Sequence, residues 1–264
     1  MMRALWTAST GMMAQQLNVD TISNNIANVN SIGYKKTRVE FKDLLYETME
    51  KGMVKDGEGK PVNLQVGHGV KVAATTKFFT QGNMDITSNP YDLAIDGPGF
   101  FKVTGPNGEE LYTKDGSFKI SVDEENMKMV TSDGYFIQGT NGDIDLGANV
   151  KDVIIDESGL ITVRRTDGTL EEVGSLTIAT FVNPAGLESV GKNLFKTSMA
   201  SGEAFDAAED GSGGGVLQGY LESSNVQVVE EMVKLIQAQR AYEINSKSIQ
   251  TADEMLGMAN NLRR

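Results

Sequence analysis

Along the first thirty residues, apolar or small side chains recur in alternating steps of three and four: Met1, Leu5, Ala8, Met12, Val19, Ile22, Ile26 and Val29, with Gln15 the one polar member. That spacing predicts a helix that packs along a partner helix. Residues 4–34 contain one charged side chain, Asp20, in a chain that is 23% charged. A surface helix keeps a charged face toward water, so this one is expected to be covered on several sides by other copies of the chain. The competing reading is an ordinary core helix, although at ~1.5 Å per residue thirty residues reach ~45 Å, which is long for one. Asn24 and Asn28 lie away from the seam with Asn25 on the flank, and each Asn costs a helix interior roughly 0.5–0.7 kcal/mol relative to Ala. Amide hydrogen bonds to neighbouring chains are the expected offset. Asn30, Ser31, Ile32 and Gly33 should stop the helix, Gly33 as a left-handed cap.

A second long helix is predicted at the other end, where Val228, Leu235, Tyr242, Ile249 and Leu256 recur every seven residues. This one has a charged complement, including Glu230, Lys234, Arg240, Glu243 and Lys247, so it should keep one side in water while pairing with the first helix. Between them the period falls to two. Strands are expected at 70–76, 91–96, 100–104, 117–122, 128–131, 135–138, 153–155, 160–164 and 176–182, with a last strand-like run at 216–221. Asn-Gly and Asp-Gly dipeptides at 107–108, 115–116, 133–134, 141–142 and 167–168 close tight hairpins between them. Residues 39–49 fit a short helix or an extended arm, and the polar stretch 50–63 a loop or a hairpin around Asp56-Gly57. The fold class is therefore α+β: long terminal helices pairing as a coiled coil, with an antiparallel β-rich domain inserted between them. The expected division is 1–33 with 222–264 as the helical part, 34–75 as a connecting segment, and 76–221 as the β-rich part.

Charge sharpens this division. Residues 81–220 carry 23 acids and 9 bases, a net of −14, while the two ends together are near neutral at +2. An acidic middle repels phosphate backbones and argues against nucleic-acid binding, and near-neutral ends favour self-association. Lys35, Lys36 and Arg38 read as a solvated elbow or as a partner-binding patch. Cysteine is absent, which removes disulfides and thiolate metal sites and fits a reducing cytosol or an exported protein without disulfides. No apolar run is long enough to span a bilayer, and no compact apolar segment follows Arg3 as in a secretory signal. Composition alone reads as cytoplasmic.

Candidate chemistry is thin. His68 is the single histidine, which leaves zinc or a Ser-His-Asp arrangement without support and a turn as its expected role. Gly67-His68-Gly69 and Gly97-Pro98-Gly99 lack the rest of a dinucleotide loop. The acidic turn Asn141–Asp145 lacks the spacing of an EF-hand. No cofactor, no resident metal and no enzymatic activity are expected.

The segment Ser23-Asn24-Asn25-Ile26-Ala27-Asn28-Val29-Asn30-Ser31-Ile32-Gly33-Tyr34-Lys35 resembles the signature of the bacterial flagellar rod and hook family. Gly219-Tyr220-Leu221-Glu222-Ser223-Ser224-Asn225-Val226, followed by Glu230-Glu231-Met232-Val233 and Gln239-Arg240-Ala241-Tyr242-Glu243, is similar to that family's carboxy-terminal signature, and Ile95-Asp96-Gly97-Pro98-Gly99-Phe100-Phe101 to its central β motif. Chain length, the turn at Leu64-Gln65-Val66-Gly67 and an insertion after Leu45 and Tyr46 resemble the distal-rod branch, whose stiffening insertion would here include Tyr46, Lys51, Lys55, Lys60 and Pro61. The resemblance implies a structural subunit that polymerises helically into a hollow shaft carrying torque from motor to hook. It implies export by the flagellar type III apparatus without a cleaved signal peptide, a place in the basal body within the periplasm or cell wall, and no membrane insertion. Neighbours would be further copies of the chain, proximal rod and hook subunits, and, as a further candidate, the bushing rings of the envelope. The expected assembly interface is Leu5, Met12, Val19, Ile22, Asn24, Asn25, Ile26, Asn28, Val29 and Gly33 with Val228, Leu235, Tyr242, Ile249 and Leu256. A proximal rod or hook subunit, a carbohydrate- or calcium-binding β module, and a cell-wall hydrolase are the alternatives.

Overall fold

The structure, a computed structural model, describes residues 2–50, 54–55, 58–59, 63–105, 108–123, 126–140, 142–148, 150–206 and 213–261. The chain forms two compact units, Met1–Ala27 with Thr37–Lys77 and Gln227–Arg264, and Asn28–Lys36 with Phe78–Val226.

The first unit holds helix α1 (Met2–Ala27), strands β1 (Thr37–Asp43), β2 (Tyr46–Glu50), β3 (Val54–Lys55), β4 (Glu58–Gly59), β5 (Leu64–Gly67) and β6 (Val70–Lys77), and helix α2 (Val228–Asn261). The strands nest as one antiparallel arm in three steps, β1 on β6, β2 on β5 and β3 on β4, with the Leu44 N–H donating to the Gly69 carbonyl across the first break. The run 39–49 is thus extended and not helical. The stretch 50–63 includes a hairpin in which Lys55 faces Glu58. Asp56, Gly57 and the insertion residues Lys51, Lys60 and Pro61 lie outside the described residues, as does the Lys55 side chain.

Helix α1 packs on β1 and β6 as well as on α2. Two glycines permit this closeness. A Cβ on Gly69, whose φ is +111°, would sit 2.2 Å from the Thr10 hydroxyl oxygen, and one on Gly11 would sit 2.9 Å from the Asn245 amide nitrogen. The helix stops at Ala27, earlier than expected, because the chain turns there: the Ser31 N–H and hydroxyl both bond Asn28. Gly33 does adopt φ +67°, but it caps nothing in α1; its N–H donates to the Glu222 carbonyl inside the β-rich unit. In α2, Glu230 and Glu231 occupy the first turn, where the helix dipole favours acids.

The second unit is antiparallel throughout. Its largest sheet runs in the order 119–123, 126–130, 136–139, 100–104, 110–113, 194–196, 188–191, and a separate three-stranded sheet is built from 150–155, 160–165 and 170–175. Strand Phe100–Thr104 shows the period-two logic: Phe101 and Val103 enter one core with Leu93, Ile137, Ile161 and Val163, while Phe100 enters a second with Tyr112, Phe181 and Phe195. Rings in the second core meet edge to face at 4.9–5.8 Å. The expected strand 176–182 shortens to Ile178–Thr180, and the run 216–221 divides at Gly219, whose φ of +76° and N–H bond to the Asp92 carbonyl make a kink. The two halves pair separately, Gly215–Gln218 with Leu93–Asp96 and Tyr220–Glu222 with Met84–Ile86.

Burial in the second core, then the charges of Glu110 and Asp206, pushes the Tyr112 phenol up to about 12. A raised folded-state value means that its stabilising contribution is complete below the unfolded value of about 10 and is lost as pH rises through about 12. Between those limits the wild-type chain should lose up to roughly 1.4 kcal/mol per pH unit more than Tyr112→Phe, read by urea unfolding of both chains at stepped pH. Parallel pH profiles would refute it.

Candidate functional site

The long helices present two contrasting faces. On α1 the predicted heptad positions turn inward: Ala8 and Ile22 are buried, and Leu5, Met12, Val19 and Ile26 half-buried. On α2, Leu235, Ile249 and Leu256 are half-buried, but Val228 and Tyr242 are exposed. The deepest row there is the neighbouring one, Glu231, Ala238, half-buried Asn245 and Ala252. Small residues mark where helices approach closely, so the seven-residue spacing of two alanines and an Asn was the signal to follow. Of the remaining expected interface residues, Asn24 is exposed on α1, while Asn28, Val29 and Gly33 fall beyond its end, the first two half-buried and Gly33 buried.

The opposite face of α1 carries Met2, Trp6, Met13 and Leu17, the first three 70%, 70% and 71% exposed. At about 100° per residue these four lie within a sector of about 60°. Helix α2 is apolar and exposed near its start, at Val229, Met232, Val233 and Ile236, and again near its end at Met255 and Met258. Arg240, Glu243 and Lys247 are exposed between. The β2/β5 step adds Tyr46, Met49 and Leu64, all more than half exposed. Exposed apolar stripes of this extent make a candidate interaction surface.

The signature residues have another task. Asn25, 2% exposed, does not reach for a neighbouring chain as expected: its amide donates to the Thr37 carbonyl at 2.8 Å and to Glu231 Oε2 at 3.2 Å, and its oxygen accepts from the Thr37 N–H at 3.0 Å. Lys234 Nζ donates to the second oxygen of Glu231 at 2.7 Å. One Asn thus ties the end of α1 to β1 and to the first turn of α2. Asn25→Ala strands the Thr37 backbone groups and should cost roughly 2 kcal/mol, measurable by urea denaturation; an unchanged midpoint would contradict this role.

In the β-rich unit, Lys35 is no solvated elbow. It is 1% exposed, with Nζ 2.5 Å from Glu222 Oε1 and 2.8 Å from the Thr80 carbonyl. The same carboxylate oxygen accepts the Gly82 N–H at 2.8 Å. Lys114 stands 3.6 Å from Glu222 Oε2 and donates to the Gly97 carbonyl at 3.1 Å. Burial pushes Lys114 below the ordinary lysine range; Glu222 opposes this and Lys35 adds to it. Asn225 completes the junction. It accepts from the Lys36 N–H at 2.8 Å and donates to the Phe78 carbonyl at 2.8 Å. Three signature segments, around Lys35, Gly97 and Glu222, therefore converge as structural cement.

The described residues among those weighed for chemistry lie apart. His68 is half exposed with Nε2 3.8 Å from Glu47, which also pairs with Arg3. Gly97 and Gly99 take φ +125° and +143° in a turn whose Pro98 carbonyl accepts the Gly214 N–H at 3.0 Å. Asn141 lies outside the described residues. Among the described residues no group of three or more His, Cys, Asp or Glu side chains is placed to hold a metal.

Comparison with known proteins agrees with the three signature regions. Residues 5–35 match the family described as flagella basal body rod protein, residues 94–163 the flagellar hook protein FlgE/F/G D1 domain, and residues 217–262 the flagellar basal body rod FlgEFG protein C-terminal. The flagellar basal-body rod protein FlgG of Borreliella burgdorferi is 49% identical, with 100% of both chains covered. That of Caulobacter vibrioides is 46% identical over 99% of this chain and 100% of its own. The Bacillus subtilis protein of the same name is 36% identical over the whole of both. Among solved structures, the hook protein FlgE2 of Helicobacter pylori is similar at 21% identity and a TM-score of 0.25, covering 46% of this chain and 32% of that one.

Proposed function

The chain belongs to the flagellar basal-body rod protein family, with full-length relatives named FlgG, and from that premise we propose that it is the building block of the distal rod and polymerises helically into a rigid hollow shaft. Its role is structural and not enzymatic. The observation that carries this reading is the exposed apolar stripe of α1, Met2, Trp6, Met13 and Leu17. That surface differs from the one α1 presents to α2, so copies would join through unlike patches, and heterologous contacts whose rotation does not close build filaments.

In this reading α1 and α2 of one chain pair as a coiled coil through Leu5, Met12, Val19, Ile22, Ile26, Leu235, Ile249 and Leu256, while Asn24, Val228, Tyr242 and the exposed stripes meet other copies. The insertion that includes Tyr46, Lys51, Lys55, Lys60 and Pro61 stiffens the lattice. The family supports a flagellar basal-body location; the type III export apparatus, proximal rod and hook subunits and envelope bushing rings are its proposed partners. No described helix is long and apolar enough to cross a membrane.

Electron microscopy of basal bodies from cells lacking the chain tests the assignment. Rods should end short and carry no hook, and complementation should restore both. Full-length rods with normal hooks in the deletion strain would refute it.

A further inference from the structure

We propose that the thioethers of Met2, Met13, Met232 and Met258 are oxidation-sensitive modification sites that close the free chain to assembly. The inference rests on the reading that the exposed helical stripes are covered by further copies. These four are 70%, 71%, 52% and 59% exposed and lie on α1 and α2. Unbranched, polarizable Met fills irregular gaps, which suits a surface that must meet unlike patches of several neighbours. The same choice makes the stripe oxidisable where Leu or Ile would be inert.

The chemistry is a two-electron oxygen transfer from a peroxide. The O–O bond breaks, an S=O bond forms, the sulfur is oxidised to the sulfoxide and the peroxide leaves as water. A methionine sulfoxide reductase reverses it at the expense of a thiol pair. The sulfoxide oxygen is a strong acceptor, and covering it without a donor is unfavourable. Once assembled, the same sulfurs would be shielded, so sensitivity belongs to the unassembled chain alone.

Two other methionines calibrate the test. Met199 is fully exposed in the β-rich unit, off the helices, and Met129 is 1% exposed in its core. Purified full-length chain is oxidised partially with hydrogen peroxide and allowed to polymerise. Pellet and supernatant are then mapped for sulfoxide by peptide mass spectrometry. The helical methionines and Met199 should oxidise well before Met129. Sulfoxide at Met2, Met13, Met232 and Met258 should be enriched about tenfold in the supernatant, sulfoxide at Met199 should divide evenly, and reductase treatment should return the supernatant chain to the pellet. Even division of the helical sulfoxides, or helical methionines as slow to oxidise as Met129, overturns the proposal. An untreated chain that never pellets overturns the polymer reading instead, and this proposal with it.

Discussion

Glu222→Gln is expected to destabilise the β-rich unit by about 3–5 kcal/mol, the usual result of removing one partner from a buried ion pair. Glu222 is 1% exposed and faces Lys35, itself 1% exposed, and Lys114, 5% exposed. With the carboxylate gone, two ammonium groups remain in a site where water does not reach them. Gln retains the shape and can still accept from the Gly82 N–H, so the loss reports charge and not packing. Replacing Lys35, Lys114 and Glu222 together by Met, Met and Leu should recover part of it, because no charge is then left buried and unpaired, while the Gly82 N–H and the Gly97 carbonyl lose their side-chain partners. Equilibrium urea unfolding of the three chains decides the matter. A Glu222→Gln chain within about 1 kcal/mol of wild type would mean that the pair behaves like an exposed one.

Trp6→Ala should have the opposite profile, with stability changed by less than about 0.5 kcal/mol and polymerisation largely lost. Trp6 is 70% exposed in the single chain, so folding leaves most of its surface available to a neighbour. A Trp at the centre of an interface is worth about 2–4 kcal/mol on truncation to Ala, which corresponds to a critical concentration raised some thirty- to several-hundredfold. Sedimentation over a concentration series gives that number. A Trp6→Ala chain that pellets like wild type would remove α1's outer stripe from the interface.

Much of the fold could be read from periodicity. Leu5, Met12, Val19, Ile22 and Ile26 follow a heptad and are covered, and Phe100 and Phe101 alternate between two cores as a strand requires. What a period cannot say is whose atoms do the covering. Helix α1 packs on α2, β1 and β6 of the same chain, and the stripe that stays exposed is the one the heptad omits. The signature residues were harder still. Asn25 needs Glu231, 206 positions away, and Lys35 needs Glu222, 187 positions away; no local pattern links them, so a buried lysine read as a solvated one. Short strands such as Leu194–Lys196 carry no alternation of their own and exist because Tyr112 and Thr113 offer them an edge.

The backbone passes from one compact unit to the other four times, after Ala27, Lys36, Lys77 and Val226. A bead tethered by a single linker can be severed by one proteolytic nick, whereas here any single cut leaves the halves covalently joined. Load passed from one unit to the other is divided among parallel peptide tethers, a redundancy that suits a subunit of the flagellar rod.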